Sequence, residues 1–274
     1  MSMSWLTGVT WLRERGDAGV LVTVLAVEGH APRRAGAKMV VSSGRTWGSV
    51  GGGNLESVAV GRAREMLDHG DDELRTVTFD LSDKAPYQHG VQCCGGRVTV
   101  VLEPLPARPV VALFGVGHVG LELARILARH DLRLHLVDSR AEQLDDARLA
   151  PLADAEATVE IHRVPVLPEL VLGELPAGAR VVVMTHDHAE DYAIVDAALR
   201  TPALGHVGLI GSAAKWARFR RRLLTEGGFA ESDLERVTTP IGLPGVEGKE
   251  PEVIALSVAA ALLRDLRAST EVRP

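Results

Sequence analysis

Val110-Val-Ala-Leu-Phe114, Gly115-Val-Gly-His-Val-Gly120, the stretch Leu121 to His130 and Arg133-Leu-His-Leu-Val-Asp138 together decide how the second half of this chain folds. The apolar run Val110 to Phe114 reads as a buried strand. Gly115, Gly117 and Gly120 follow at G-x-G-x-x-G spacing, Leu121 to His130 has helical periodicity, and a second strand, Arg133 to Val137, ends in Asp138. A lone G-x-G-x-x-G is weak evidence. In the order strand, glycine loop, helix, strand, acidic residue about 20 positions on, it is the dinucleotide-binding fingerprint in its proper setting. Gly115 and Gly117 allow a tight turn and close phosphate approach, and Asp138 is placed to accept from ribose hydroxyls. Fold alone does not guarantee the ligand. NAD, another nucleotide or no nucleotide all stay open here.

Towards the C-terminus, Val159 to Val164, Arg180 to Met184 and His206 to Ile210 read as further strands. They alternate with helical stretches at Tyr192 to Leu199, Ala213 to Glu226 and Glu250 to Leu266. Strand–helix alternation predicts a Rossmann-like, doubly wound parallel sheet. Thr185-His-Asp-His188 and Asp191 follow a strand end, where such sheets bind ligands. His186, His188 and Asp191 are conceivable metal ligands, but helix capping by Asp187 with polar lining is the preferred account. Lys215, Arg218, Arg220, Arg221 and Arg222 form a basic stripe whose default is a solvated face. Thr239-Pro-Ile-Gly-Leu-Pro-Gly245, continuing to Lys249, is a Gly/Pro-rich loop with a pattern unusual for a connector.

Upstream, Glu103-Pro-Leu-Pro-Ala-Arg-Pro109 reads as a stiff linker. It separates an N-terminal α+β mixed-sheet domain, residues 1–105, from the Rossmann-like domain, residues 106–274. In the first domain Trp5 to Arg15 reads as a helix, with strands at Val20 to Val27, Lys38 to Val41, Trp47 to Val50, Leu74 to Leu81 and Arg97 to Leu102. Gly51-Gly-Gly-Asn-Leu-Glu56 feeds a helix from Leu55 to Asp68, with Asn54 as N-cap. Glycines before a helix N-terminus can receive an anion, and Arg33, Arg34 and Lys38 could add charge. A solvated glycine turn explains the same residues equally well.

The only cysteines, Cys93 and Cys94, are adjacent and followed by Gly95 and Gly96. That spacing suits neither a disulfide framework nor a tetrahedral zinc site. Reduced thiols and a cytoplasmic protein are therefore expected. Cysteine is ordinarily a small buried residue, but a pair before Gly-Gly at a loop end is open to a ligand. Neighbouring strand positions face opposite ways, so the two thiols should differ. A formal net charge of −6 without a long basic block gives no support for nucleic-acid binding. No window has the ~18 apolar residues of a membrane span, and the start does not read as a signal peptide.

The chain resembles the xanthine dehydrogenase accessory proteins (XdhC/CoxI family) over nearly its whole length. The resemblance rests on Gly29-His-Ala-Pro-Arg-Arg34, Gly51-Gly-Gly-Asn-Leu-Glu56, Gln92-Cys-Cys-Gly-Gly96 and Phe114-Gly-Val-Gly-His-Val-Gly120. Thr185-His-Asp-His188 and Thr239-Pro-Ile-Gly-Leu-Pro244 with Gly248-Lys249 complete it. Gly245-Val-Glu247 is more acidic than the family pattern. The resemblance implies a non-enzymatic chaperone for the molybdenum cofactor (molybdopterin). It would protect the cofactor during sulfuration by a cysteine desulfurase and insert it into a xanthine dehydrogenase-type apoenzyme of purine catabolism. Cys93 or Cys94 would then contact molybdenum. Gly95, Gly96, Arg33, Arg34 and the Gly51–Gly53 turn would hold the rest, with Gly115, Gly117, Gly120 and Asp138 available to a nucleotide. Homodimers are the base rate for soluble assemblies. Competing readings are an NAD(P)-dependent oxidoreductase, and a metal-dependent nucleotidyl-transfer or hydrolytic enzyme using His186, His188 and Asp191.

Overall fold

A computed structural model describes residues 4–80 and 96–271, in two compact units that meet in sequence between Arg108 and Pro109. In the first unit the elements are α1 (Trp5–Arg15), β1 (Gly19–Glu28), β2 (Lys38–Val41), β3 (Thr46–Gly48), α2 (Gly53–His69), β4 (Arg75–Asp80) and β5 (Arg97–Leu105). The sheet order is β3-β2-β1-β5-β4, and every ladder is antiparallel. This is more specific than the mixed sheet expected. Alternation along β1 sends Val20, Val22 and Val24 to the face covered by α2, where they meet Leu55, Ala59, Ala63 and Met66. On the other face Leu12 of α1 packs with Val40 and Trp47.

Two sequence readings of this unit change. Residues 103–105 are not linker: Pro104 pairs with Val20, and Leu105 with Gly19. Proline is tolerated because β4 begins at Arg75 opposite Leu102, so Pro104 lies beyond the β4 ladder with no second neighbour to donate to. Asn54 is not the N-cap either. Helix α2 starts two residues earlier, at Gly53, capped by Gly52 at φ 72°, a conformation only glycine adopts cheaply.

The second unit comprises β6 (Val110–Phe114), α3 (His118–Leu127), β7 (Arg133–Asp138), α4 (Asp146–Leu149), β8 (Thr158–Arg163), β9 (Arg180–Val183), α5 (His188–Leu199), β10 (Val207–Leu209), α6 (Ala213–Thr225), α7 (Glu231–Leu234), β11 (Val237–Thr238) and α8 (Pro251–Glu271). Its sheet runs β11-β10-β9-β6-β7-β8 with every ladder parallel. Alternate residues of β6 serve opposite layers. Val111 and Leu113 pack under α3 and α8, while Ala112 and Phe114 pack under α5 and α6. The sheet is therefore doubly wound, as the strand–helix alternation predicts. The chain order reverses between β6 and β9, the switch point where such sheets open a ligand crevice. Among the described residues no helix is long and apolar enough to cross a membrane.

Helix α6 is not simply a basic surface helix. Lys215, Phe219 and Leu223, four residues apart, form its buried face. The Lys215 stem lies along Gly211, where an added Cβ would come within 2.6 Å of Cδ. Its ammonium pairs with Asp191 and donates to the Ile210 carbonyl at 2.9 Å. Both side chains are nearly inaccessible, at 7% and 0%. Removing one member of a buried pair strands the other charge, at about 3–5 kcal/mol. Asp191→Ala should accordingly lower unfolding free energy by about that amount in urea titrations. Burial also pushes the His206 imidazole below its ordinary value, with Arg180 and Arg236 adding to the effect against Asp265. The unfolded chain then binds the proton more readily, so His206 contributes stability at neutral pH that is lost as pH falls below about 6.5. Thermal melts of His206→Gln and parent should differ in their slope against pH between about 5 and 7.

Candidate functional site

In the first unit the Gly29–Arg34 loop, the Gly51 turn and Gly96 meet at one end of the sheet. Gly29, His30, Ala31, Arg33, Arg34 and Ala35 form the loop leaving β1 and line a recess of about 380 Å³ with Val27. Gly51 packs against this loop: a Cβ there would lie 3.0 Å from Cγ of Pro32. Gly96, which precedes β5, lies against it from another side, since its Cβ would overlap the His30 carbonyl oxygen and lie 2.7 Å from that of Glu28. Arg33, Arg34, Gly51 and Gly96 are thus brought together. Gln92, Cys93, Cys94 and Gly95 lie outside the described residues.

The glycine turn is held from within. Glu56, in the first turn of α2, accepts at one carboxylate oxygen from Ser49 Oγ (2.5 Å), Val50 N (3.2 Å) and Gly52 N (3.1 Å). Gly51 N donates to Ser49 Oγ at 3.2 Å. An internal carboxylate therefore occupies part of the donor set expected for an anion. The N–H groups of Gly53 and Asn54 make no bond among the described residues. Neither Arg33 nor Arg34 has an ion-pair partner among them, and both are exposed. Exposed positive charge beside the turn is carried by Arg33 and Arg34 on the loop. Lys38 is separate, donating to Thr23 Oγ1 at 2.9 Å.

In the second unit the fingerprint glycines divide their work. Gly115, at φ 99°, has no room for a side chain, because a Cβ would overlap the Met184 carbonyl oxygen. Gly120 sits equally tightly on the Gly115 carbonyl. Gly117 is different. It caps α3, and a Cβ there would meet only an Arg140 guanidinium nitrogen, at 3.9 Å. Asp138, 2% exposed, accepts from Val116 N at 2.7 Å. It also accepts from Arg140 through N (2.9 Å), Nε (3.0 Å) and Nη2 (3.0 Å). Its carboxylate is spent on shaping the loop and holding Arg140, so a ribose hydroxyl would have to compete with that guanidinium. Ser139 Oγ donates to Glu190 at 2.8 Å, tying the ends of β7 and α5 across the crevice.

The metal reading of His186, His188 and Asp191 does not survive. Asp187 is the N-cap of α5, accepting from Ala189 N (2.5 Å) and Glu190 N (3.1 Å), and these bonds hold its carboxyl below the usual carboxylate range. Asp191 turns inward, accepting from Thr185 N at 2.9 Å and pairing with Lys215. Among the described residues the group with metal-ligand spacing lies elsewhere, at His135, Glu160 and His162. Sequence reading missed it. The available signals were a histidine inside the apolar strand β7 and Glu160-Ile-His162 at same-face spacing on β8. The parallel register that joins them could not be read. The Thr239–Lys249 loop contributes Pro240 (after a cis bond), Gly248 and Lys249 to a cavity of about 460 Å³ with Ser212 and Ser257.

Glu56 offers a direct test of how the glycine turn is built. Glu56→Ala leaves several backbone donors without an acceptor and should cost about 1–3 kcal/mol, measured by chemical denaturation. Glu56→Gln, which keeps one acceptor oxygen, should recover part of that loss.

The family model described as the XdhC Rossmann domain matches residues 111–262, and that of the XdhC and CoxI family matches residues 12–80. Uncharacterized protein YqeB of Escherichia coli K12 is 24% identical over 266 residues, covering 96% of this chain and 46% of YqeB. The chain thus spans about half the length of that relative. Molybdenum cofactor insertion chaperone PaoD of the same strain is 26% identical over 273 residues, covering 89% of this chain and 82% of PaoD. A solved structure described as a xanthine dehydrogenase from Bacillus halodurans aligns over 97% of this chain and 96% of that one, at 19% identity and a TM-score of 0.48. The Rossmann-domain match alone takes in more than half of the sequence, and on that ground the chain belongs to the XdhC and CoxI family.

Proposed function

We propose that this protein is a chaperone of the molybdenum cofactor. It holds the cofactor while a cysteine desulfurase supplies sulfur, then passes it to a xanthine dehydrogenase-type apoenzyme. The observation that carries the reading is family membership together with the relative PaoD, a molybdenum cofactor insertion chaperone whose similarity extends over 89% of this chain. The protein binds and releases without turnover of its own, as a homodimer in the cytoplasm, in the service of purine catabolism.

The first unit suits such a ligand chemically. Arg33 and Arg34 are exposed, have no ion-pair partner among the described residues, and flank a recess beside the Gly51–Gly53 turn. Guanidinium groups recognise phosphate by bidentate hydrogen bonds, and the Gly53 and Asn54 N–H groups at the start of α2 favour negative charge. Cys93 and Cys94 supply soft thiolates, which match a sulfur-bound metal, with Gly95 and Gly96 allowing close backbone approach. The cofactor, when bound, supplies the dithiolene-held molybdenum on which the target hydroxylase depends. In the second unit a nucleotide, either NAD or the nucleotide portion of a cofactor variant, enters the crevice that Gly115, Gly120 and the Asp138–Arg140 pair shape. Gly117 supplies the open approach.

Protein purified from molybdenum-replete cells should carry molybdenum and, after oxidation, pterin fluorescence. The Cys93→Ala and Cys94→Ala proteins should retain less of both, and unequally, with the double variant lowest by at least about tenfold. A double variant of native fold that keeps a full equivalent would sink the thiol assignment.

A further inference from the structure

We propose that His135, Glu160 and His162 form a binding site for a zinc-type divalent metal ion at the edge of the Rossmann-like sheet, independent of the cofactor reading. Parallel pairing of β7 with β8 sets His135 opposite Glu160 and Val137 opposite His162. Residues two apart on a strand share a face, so all three side chains project to the same side. One ligand atom from each lies within 4.8 Å of the others. His135 Nδ1 is 3.0 Å from His162 Nε2 and 3.8 Å from Glu160 Oε2. Tetrahedral zinc with bonds of about 2.0–2.1 Å needs ligand atoms roughly 3.3 Å apart, a value these two spacings bracket.

The donor types select the ion. Two imidazoles and one carboxylate suit zinc, cobalt or nickel, and not the all-oxygen preference of magnesium or calcium. Arg133 donates from Nε to Glu160 Oε1 at 3.1 Å, holding the carboxylate with Oε2 towards His135. Such outer contacts orient ligands in established metal sites. With three protein ligands, a coordination position is left for water or an external donor. It opens at the rim, where β8 is the edge strand and Glu160 is 36% exposed.

Without a metal the two rings share a hydrogen bond, and they lie nearly parallel, 17° apart. That arrangement leaves His135 Nε2 buried with no partner, in a strand whose neighbours Leu134 and Leu136 are wholly apolar and inaccessible. An imidazole here weakens the metal-free fold relative to an apolar residue. Metal ligation gives that cost a function: as the ion takes His135 Nδ1 and His162 Nε2, the proton between them moves to the other nitrogen of its own ring, and Glu160 is engaged as well.

The full chain, stripped with chelator, should be titrated with Co²⁺ and then with Zn²⁺. One equivalent of Co²⁺ should bind with the visible spectrum of a nitrogen/oxygen site, without thiolate charge-transfer bands, and Zn²⁺ should displace it. Glu160→Gln at the half-exposed rim and His162→Gln should each weaken binding more than about tenfold, and zinc should raise the melting temperature of the parent alone. Absence of stoichiometric uptake by the parent overturns the proposal. Thiolate bands on the bound cobalt, or equal affinity in folded Glu160→Gln protein, overturn it as well.

Discussion

Backbone approaches so close that they exclude any side chain set the crevice of the second unit. The end of β6 runs so near the end of β9 that Gly115 has only the Met184 carbonyl where a Cβ would be, and α3 begins so near the loop that Gly120 meets the Gly115 carbonyl in the same way. A side chain at either position would push strand, loop and helix apart, and with them the switch point between β6 and β9 where the sheet can admit a ligand. Gly117 escapes this constraint and faces Arg140 across open space. The three glycines therefore separate into two that build the crevice and one that leaves it accessible.

Carboxylates then fix the loops that the glycines allow. Asp138 takes the Val116 N–H, Asp191 takes the Thr185 N–H, and Glu56 takes the Val50 and Gly52 N–H groups. In each case a side chain from a strand end or a helix captures backbone donors of an irregular segment, replacing water as their partner. The first two are themselves balanced by cations, Arg140 and Lys215. Among the described residues, the groups left uncommitted beside these loops are the exposed guanidiniums of Arg33 and Arg34 in the first unit, while the second unit keeps open space over Gly117.

Candidate metal ligands are distributed differently from what proximity along the chain suggests. His186 and His188 look like ligands because they stand close in sequence, but Asp191, in the first turn of α5, is buried in a pair with Lys215. His135 and His162 look unremarkable because 26 residues separate them, and a parallel ladder makes them neighbours. Proximity along the chain is a poor guide where parallel strands are joined by long crossovers.

Local pattern alone determined much of this protein. The alternation of apolar runs with helical periodicity specified the doubly wound unit, because period-two and period-3.6 burial are properties of short windows. The fingerprint spacing placed Gly115, Gly117 and Gly120 on the turn into α3, and Asp138 at the end of the next strand, for the same reason. The N-cap role of Asp187 was legible, since a short acceptor before a helix is a local device. Tertiary structure decided what each polar residue does with its hydrogen bonds. Whether Asp138 faces a ribose or Arg140, whether Lys215 is solvated or buried, and whether Glu56 leaves the glycine turn free all depend on partners 2 to 24 positions away. The antiparallel register that continues β5 through Pro104, and the parallel one that assembles His135, Glu160 and His162, are likewise set by packing between distant segments. Sequence fixes which groups are available, and only the folded sheet brings their partners within bonding distance.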